Sequence, residues 1–146
     1  MISTRGAAVL SATALITLLS TPGIGQTTES YKVRLSTVPM DGGMRSTVAG
    51  RGSATATLAG SKLTIDGTFE GLLSPATTGK LHRGVAMGVS GSAFADLTVT
   101  KSSSGKISGS IDLTPEQLQG LKLKQLYIQI SSEKAPDGNL WGWLVP

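Results

Sequence analysis

Residues 121–146 read LKLKQLYIQISSEKAPDGNLWGWLVP, and the fold class turns on them. Leu126, Ile128 and Ile130 alternate with Tyr127, Gln129 and Ser131, the period of two that sends one set of side chains inward and the other outward along a strand. Ala135-Pro136-Asp137-Gly138 carries turn chemistry, because proline presets φ near about −65° and glycine is free to take φ > 0. The chain then returns as Leu140-Trp141-Gly142-Trp143-Leu144. The stretch predicts a hairpin that holds both tryptophans of the molecule.

Upstream, the same alternation recurs in short pieces. Tyr31, Val33 and Leu35 oppose Lys32, Arg34 and Ser36; Ala54, Ala56 and Leu58 form an inward set; Leu63 and Ile65 oppose Lys62, Thr64 and Asp66. Gly50-Arg51-Gly52 and Ala59-Gly60-Ser61 read as turns between them, and Gly67 as a bulge or kink within a longer strand. Val85, Met87 and Val89 read as a short strand, Phe94 to Thr100 as another with Leu97 and Val99 inside, and Ile107, Gly109 and Ile111 as one more. One helix is signalled: Thr114 as N-cap, Pro115 at the first helical position, Gln117 in capping-box register, and Gly120 as its terminator. Leu118 and Leu121 would dock it. Nineteen glycines and seven or eight short strands at such spacing describe an all-β domain, a β-sandwich or Greek-key barrel with one short helix.

The first 25 residues stand apart from this pattern. Arg5 supplies a positive start, Ala7 to Leu19 an apolar run too short to span a bilayer, and Thr21 to Gly25 a breaker with small residues. The expectation is a signal peptide cleaved near Gly25, a secreted or periplasmic product with no stable membrane anchor, and one domain over 26–146. There is no cysteine, so neither a disulfide nor a thiolate site is possible. Without Arg5, twelve basic residues stand against nine acidic ones, dispersed along the chain and not interleaved with aromatics. That argues against a nucleic-acid surface.

Little in the chain suggests catalysis. A single histidine, His82, cannot supply a multi-histidine metal site, and no HExxH, EF-hand or GxSxG spacing occurs. No catalytic residue, metal ligand or cofactor is therefore assigned. His82 reads as a loop-borne imidazole, either bonded to neighbouring backbone or touching a ligand. Tyr127 and Trp141 become ligand-binding candidates beside it if they face outward on one sheet, since exposed aromatics mark interfaces.

The order of these segments resembles the CHRD domain, first recognised in chordin. Phe69-Glu70-Gly71-Leu72 leading to Lys80-Leu81-His82-Arg83-Gly84 is similar to that family's Gly-Leu step followed by HIHxG. Leu126 to Ser132 and Pro136 to Gly142 are similar to its Leu-Tyr-Val-Asn-Val-His-Thr strand and Pro-Gly-Glu-Ile-Arg-Gly segment. Lys80, Ser131, Asn139 and Trp141 stand where that pattern has histidine, histidine, glutamate and arginine; His82, Tyr127, Gly138 and Gly142 are kept. The resemblance implies an immunoglobulin-like β-sandwich; the strand pattern and the lack of a catalytic constellation point to a non-enzymatic module that binds a protein or small ligand, or serves structurally. The alternative is a hydrolase or metal-dependent enzyme using His82 with Glu70 or Asp96.

Overall fold

Tyr31, Val33 and Leu35 face inward and Lys32 and Arg34 outward on β1 (Thr28–Thr37), as their alternation requires. This strand belongs to a computed structural model that describes residues 27–146. The expected signal segment lies outside the described residues. Seven further strands follow: β2 (Arg51–Ala59), β3 (Lys62–Glu70), β4 (Ala76–Arg83), β5 (Ser92–Val99), β6 (Gly105–Asp112), β7 (Leu126–Ser132) and β8 (Ala135–Trp143). All pairings are antiparallel, and they close into a barrel in the order β1-β2-β3-β6-β5-β4-β7-β8. Two strands turn the corners. β1 pairs with β2 as far as Leu35 and then with β8 at Ser36 and Thr37, while β5 pairs with β4 up to Leu97 and with β6 at Thr98 and Val99.

At the seam between β1 and β8 the backbones come very close. A Cβ on Gly142 would lie 2.5 Å from Val33 Cγ1 and 2.7 Å from the Arg34 carbonyl oxygen, so only glycine lets β8 cross there. Inside the barrel Leu63, Ile65, Leu81, Ile107, Ile128 and Leu140 are fully buried. Each such side chain contributes about 1.5–3 kcal/mol on leaving water. Apart from Ala59, the outward positions of β1, β2, β3 and β6 are hydroxyl-bearing or charged, the reverse of the apolar outer band of a membrane-spanning barrel.

The helix α1 (Pro115–Lys122) starts as expected. Thr114 Oγ1 accepts from the Gln117 amide at 3.2 Å, and Gln117 Oε1 accepts from the Thr114 amide at 3.0 Å. Its end differs from expectation: Gly120 lies inside the helix, and the chain leaves it through Lys124 at φ 59°. The Lys124 amide bonds the Leu121 carbonyl at 3.1 Å and the Gln125 amide bonds the Gly120 carbonyl at 2.9 Å, a Schellman closure with lysine in the place usually held by glycine. Leu121 is fully buried, and Leu118 packs partly buried against the core.

Five other expectations are corrected. The chain reverses at Glu133 and Lys134, directly between the paired residues Ser132 and Ala135, and not at Ala135 to Gly138. Ile130 pairs with Leu140, so Pro136 to Asn139 bulge out opposite the single residue Ser131. The bulge accommodates a proline that cannot donate to the ladder. Val85, Met87 and Val89 form no strand: they lie exposed in the loop from Gly84 to Gly91. His82, expected on a loop, belongs to β4. Gly67 makes no bulge; the register with β2 runs through it unbroken, and it has no side chain because Ala54 Cβ would lie 2.5 Å from one. Arg51 and Gly52, expected as turn residues, open β2.

Candidate functional site

Outward-facing residues of β4, β7 and β8 form a second cluster on the barrel's flank. His82 pairs across the ladder with Tyr127, and Tyr127 with Trp143; Gln129 pairs with Trp141 one row on. The His82 and Tyr127 rings stack at 4.9 Å and 22°, and Tyr127 meets Trp143 at 4.5 Å. Trp141 stands edge-on to both, 5.7 Å from Tyr127 and 5.6 Å from Trp143. Such edge-to-face and offset pairs suit the ring quadrupoles.

The loop Gly84–Gly91 folds over this cluster and is tied to it at its far end. Gly91 donates its amide to Tyr127 Oη at 2.9 Å and accepts from the same hydroxyl at 3.1 Å. His82 Nδ1 lies 2.9 Å from the Gly91 carbonyl, which can only accept, so Nδ1 carries the proton. At the near end, Gln125 Nε2 donates to the Val85 carbonyl at 3.0 Å and the Gly84 amide donates to the Gln125 carbonyl at 2.9 Å. Tyr127 is consequently only 1% exposed although it points away from the core. It is a keystone under the loop and not an open contact surface, which corrects the expectation for this residue.

Trp141 and Trp143 are half-buried, on the same face, as their spacing requires. Beside Trp141 lies a cleft of about 350 Å³ with walls from three places: Val38, Pro39 and Met44 after β1, Gly88 and Ser90 on the loop, and Asp137 and Gly138 in the β8 bulge. Gln129 completes it and donates from Nε2 to the Asp137 carbonyl at 3.0 Å. Of the three residues singled out from sequence, Trp141 lines this cleft, Tyr127 supports Trp141 from below, and His82 supports Tyr127.

Asn139 was not foreseen as part of the site, yet it fixes the cleft's outer wall. It is 0% exposed; Nδ2 donates to Ser132 Oγ at 2.9 Å, Oδ1 accepts from the Ala49 amide at 3.2 Å, and its carbonyl accepts from the Val38 amide at 3.0 Å. Both ends of the segment between β1 and β2 thus hang on one amide side chain and its backbone. The sequence signal was an asparagine directly after Pro-Asp-Gly, within a stretch that otherwise reads as strand.

The partners considered for His82 as a catalytic group are engaged elsewhere. Glu70 accepts from Arg51 at 2.8 Å, and Asp96 pairs with Lys80 at 3.2 Å. Among the described residues no group of three or more His, Asp or Glu side chains is placed to hold a metal ion.

No curated protein and no solved structure shows significant similarity to the chain. The family model of the CHRD domain does match, over residues 31–144, from the first inward residue of β1 to the residue that follows β8. That span takes in β2 to β8, all but the first three residues of β1 and the whole aromatic flank, and the chain belongs to the CHRD domain family.

Proposed function

We propose that this domain is an exported, non-enzymatic binding module, and that it holds its ligand in the cleft beside Trp141. The observation that carries this reading is the construction of the cleft. A half-buried indole is backed by buried Tyr127, and its neighbours Val38, Pro39 and Met44 are apolar while Ser90, Gln129 and Asp137 offer hydrogen-bonding groups. An apolar lining with a few convergent polar groups is how small-ligand sites are built. The exposed Val85 and Met87 on the adjoining loop, 78% and 56% accessible, extend the same apolar surface toward a larger partner. Export is supported by the Arg5, Ala7–Leu19 and Thr21–Gly25 pattern.

The test is a ligand screen by thermal shift and tryptophan fluorescence on the domain, repeated with Trp141→Ala. Ligands that shift the melting temperature of the parent and lose affinity at least about tenfold in the variant support the cleft, because a buried aromatic anchor typically carries more than 1.4 kcal/mol of binding. Ligands bound equally by both proteins would place the site elsewhere.

A further inference from the structure

The opposite flank of the barrel has a different chemistry. Outward positions of β1, β2, β3 and β6 line up across the ladder in rows: Arg34, Ser53, Thr68 and Lys106 in one, Lys32, Thr55, Asp66 and Ser108 in the next, Ser30, Thr57, Thr64 and Ser110 in the third. These positions hold hydroxyls, three cations and one acid, and no apolar or aromatic side chain. Neighbours are spaced roughly 4.8 Å across strands and about 7 Å along them. The cations are far apart in sequence, and only the ladder brings Arg34 and Lys106 into one row.

None of Lys32, Arg34 and Lys106 is in an ion pair among the described residues, and Asp66 is likewise unpaired. The exposed Arg51 is already neutralised by Glu70 at 2.8 Å. Two adjoining depressions follow these rows. One, of about 540 Å³, is lined by Lys32, Arg34, Asp66 and Lys106; the other, of about 430 Å³, continues past Arg34, Ser53 and Thr68, which both share, toward Arg51. The result is an elongated track with surplus positive charge and hydroxyl donors along its floor.

We infer that this flank docks an acidic polysaccharide, a linear chain of sugars bearing sulfate or carboxylate groups. The three cations complement the anionic groups, and the serine and threonine hydroxyls can donate to and accept from sugar hydroxyls. Nucleic-acid strands are the poorer fit because the face offers no ring on which a base could stack. A lipid surface is also a poorer fit because this face has no apolar residue to insert. Neutral glycans would lose the charge complementarity that distinguishes this face from the rest of the barrel.

Dextran sulfate is the probe, with neutral dextran and single-stranded oligonucleotide as comparators, in titrations from low to high salt. The parent domain is expected to bind dextran sulfate with an affinity that falls as salt rises, and to ignore neutral dextran. The variant Lys32→Ser/Arg34→Ser/Lys106→Ser should bind at least about tenfold more weakly, whereas Lys101→Ser/Lys122→Ser/Lys134→Ser, which removes the same charge elsewhere, should lose no more than about twofold. Melting temperatures of both variants establish that each is folded. Trp141→Ala should leave this binding unchanged, which separates it from the cleft. Equal losses in the two triple variants, no binding to dextran sulfate, or tighter binding to the oligonucleotide would each overturn the assignment.

Discussion

Tyr127 and Gly91 are joined twice, the glycine amide donating to the phenol oxygen at 2.9 Å and the phenol donating back to the glycine carbonyl at 3.1 Å. One side chain near the start of β7 therefore fixes the end of an exposed loop. Tyr127→Phe removes both bonds while keeping the ring stack with His82. It should cost about 1–2 kcal/mol, since a buried hydrogen bond contributes about 1 kcal/mol and the Gly91 amide loses its partner. Hydrogen exchange should show the Gly91 amide losing protection while the strand amides keep theirs; unchanged protection would mean the loop is held by other contacts.

Ile128 and Trp141 provide a contrast between core and flank. Ile128 is fully buried inside the barrel, and Ile128→Ala should cost about 2–5 kcal/mol from lost transfer energy and the cavity left behind. Trp141 is half-buried on the outside, and its truncation should cost about 1–2 kcal/mol, from partial loss of apolar burial and two edge-on aromatic contacts. Denaturant melts of the two variants compare them directly; equal losses would show that the indole serves chiefly as structure.

The two ends of α1 respond in opposite senses. Thr114→Ala deletes the capping hydroxyl and should destabilise by about 1 kcal/mol. Lys124→Gly relieves a left-handed backbone at φ 59°, which costs an L-residue roughly 1–2 kcal/mol, and after glycine's added chain entropy a net gain of about 0.5–1 kcal/mol is expected. Melting temperatures report both signs.

Tyr31 sets an upper pH limit. Its hydroxyl is pushed up to about 12 by burial, reinforced by the hydrogen bond it donates to Glu29 at 2.7 Å and by that carboxylate's charge. The unfolded phenol titrates near about 10, so the folded state holds its proton more tightly and this stabilisation is complete below that pH. It is lost progressively as pH rises from about 10 to about 12. Unfolding free energies measured across this window should fall more steeply for the parent than for Tyr31→Phe, and parallel curves would remove Tyr31 as the cause.

Much of the barrel was legible because a two-residue period is a local property. The inward sets Tyr31/Val33/Leu35 and Leu126/Ile128/Ile130 and the capping box at Thr114 each lie within a few consecutive residues. Pro136-Asp137-Gly138 was legible as irregular backbone but not as a bulge, since the same φ requirements serve both and only the pairing of Ile130 with Leu140 decides between them. Val85, Met87 and Val89 alternate like a strand but find no partner, and pairing is not written in one segment. The cleft was the least visible part: Met44, Ser90 and Asp137 are brought together by ladder register and by the hydrogen bonds of Asn139 and Gln129. Tyr127 was correctly placed on the outer face, but its burial depends on a loop folding back over it.

Because β1 pairs with β8 at Ser36 and Thr37, no strand of the described barrel is outermost. Unpaired backbone is confined to the two corners, where β5 meets β6 only at Thr98 and Val99 and β1 meets β8 only at Ser36 and Thr37, so no full-length strand edge is offered to an extended peptide or to a second copy of the chain. Recognition then falls mainly to side chains and loop tips, positions that can be exchanged one at a time while the ladder beneath them stays as it is.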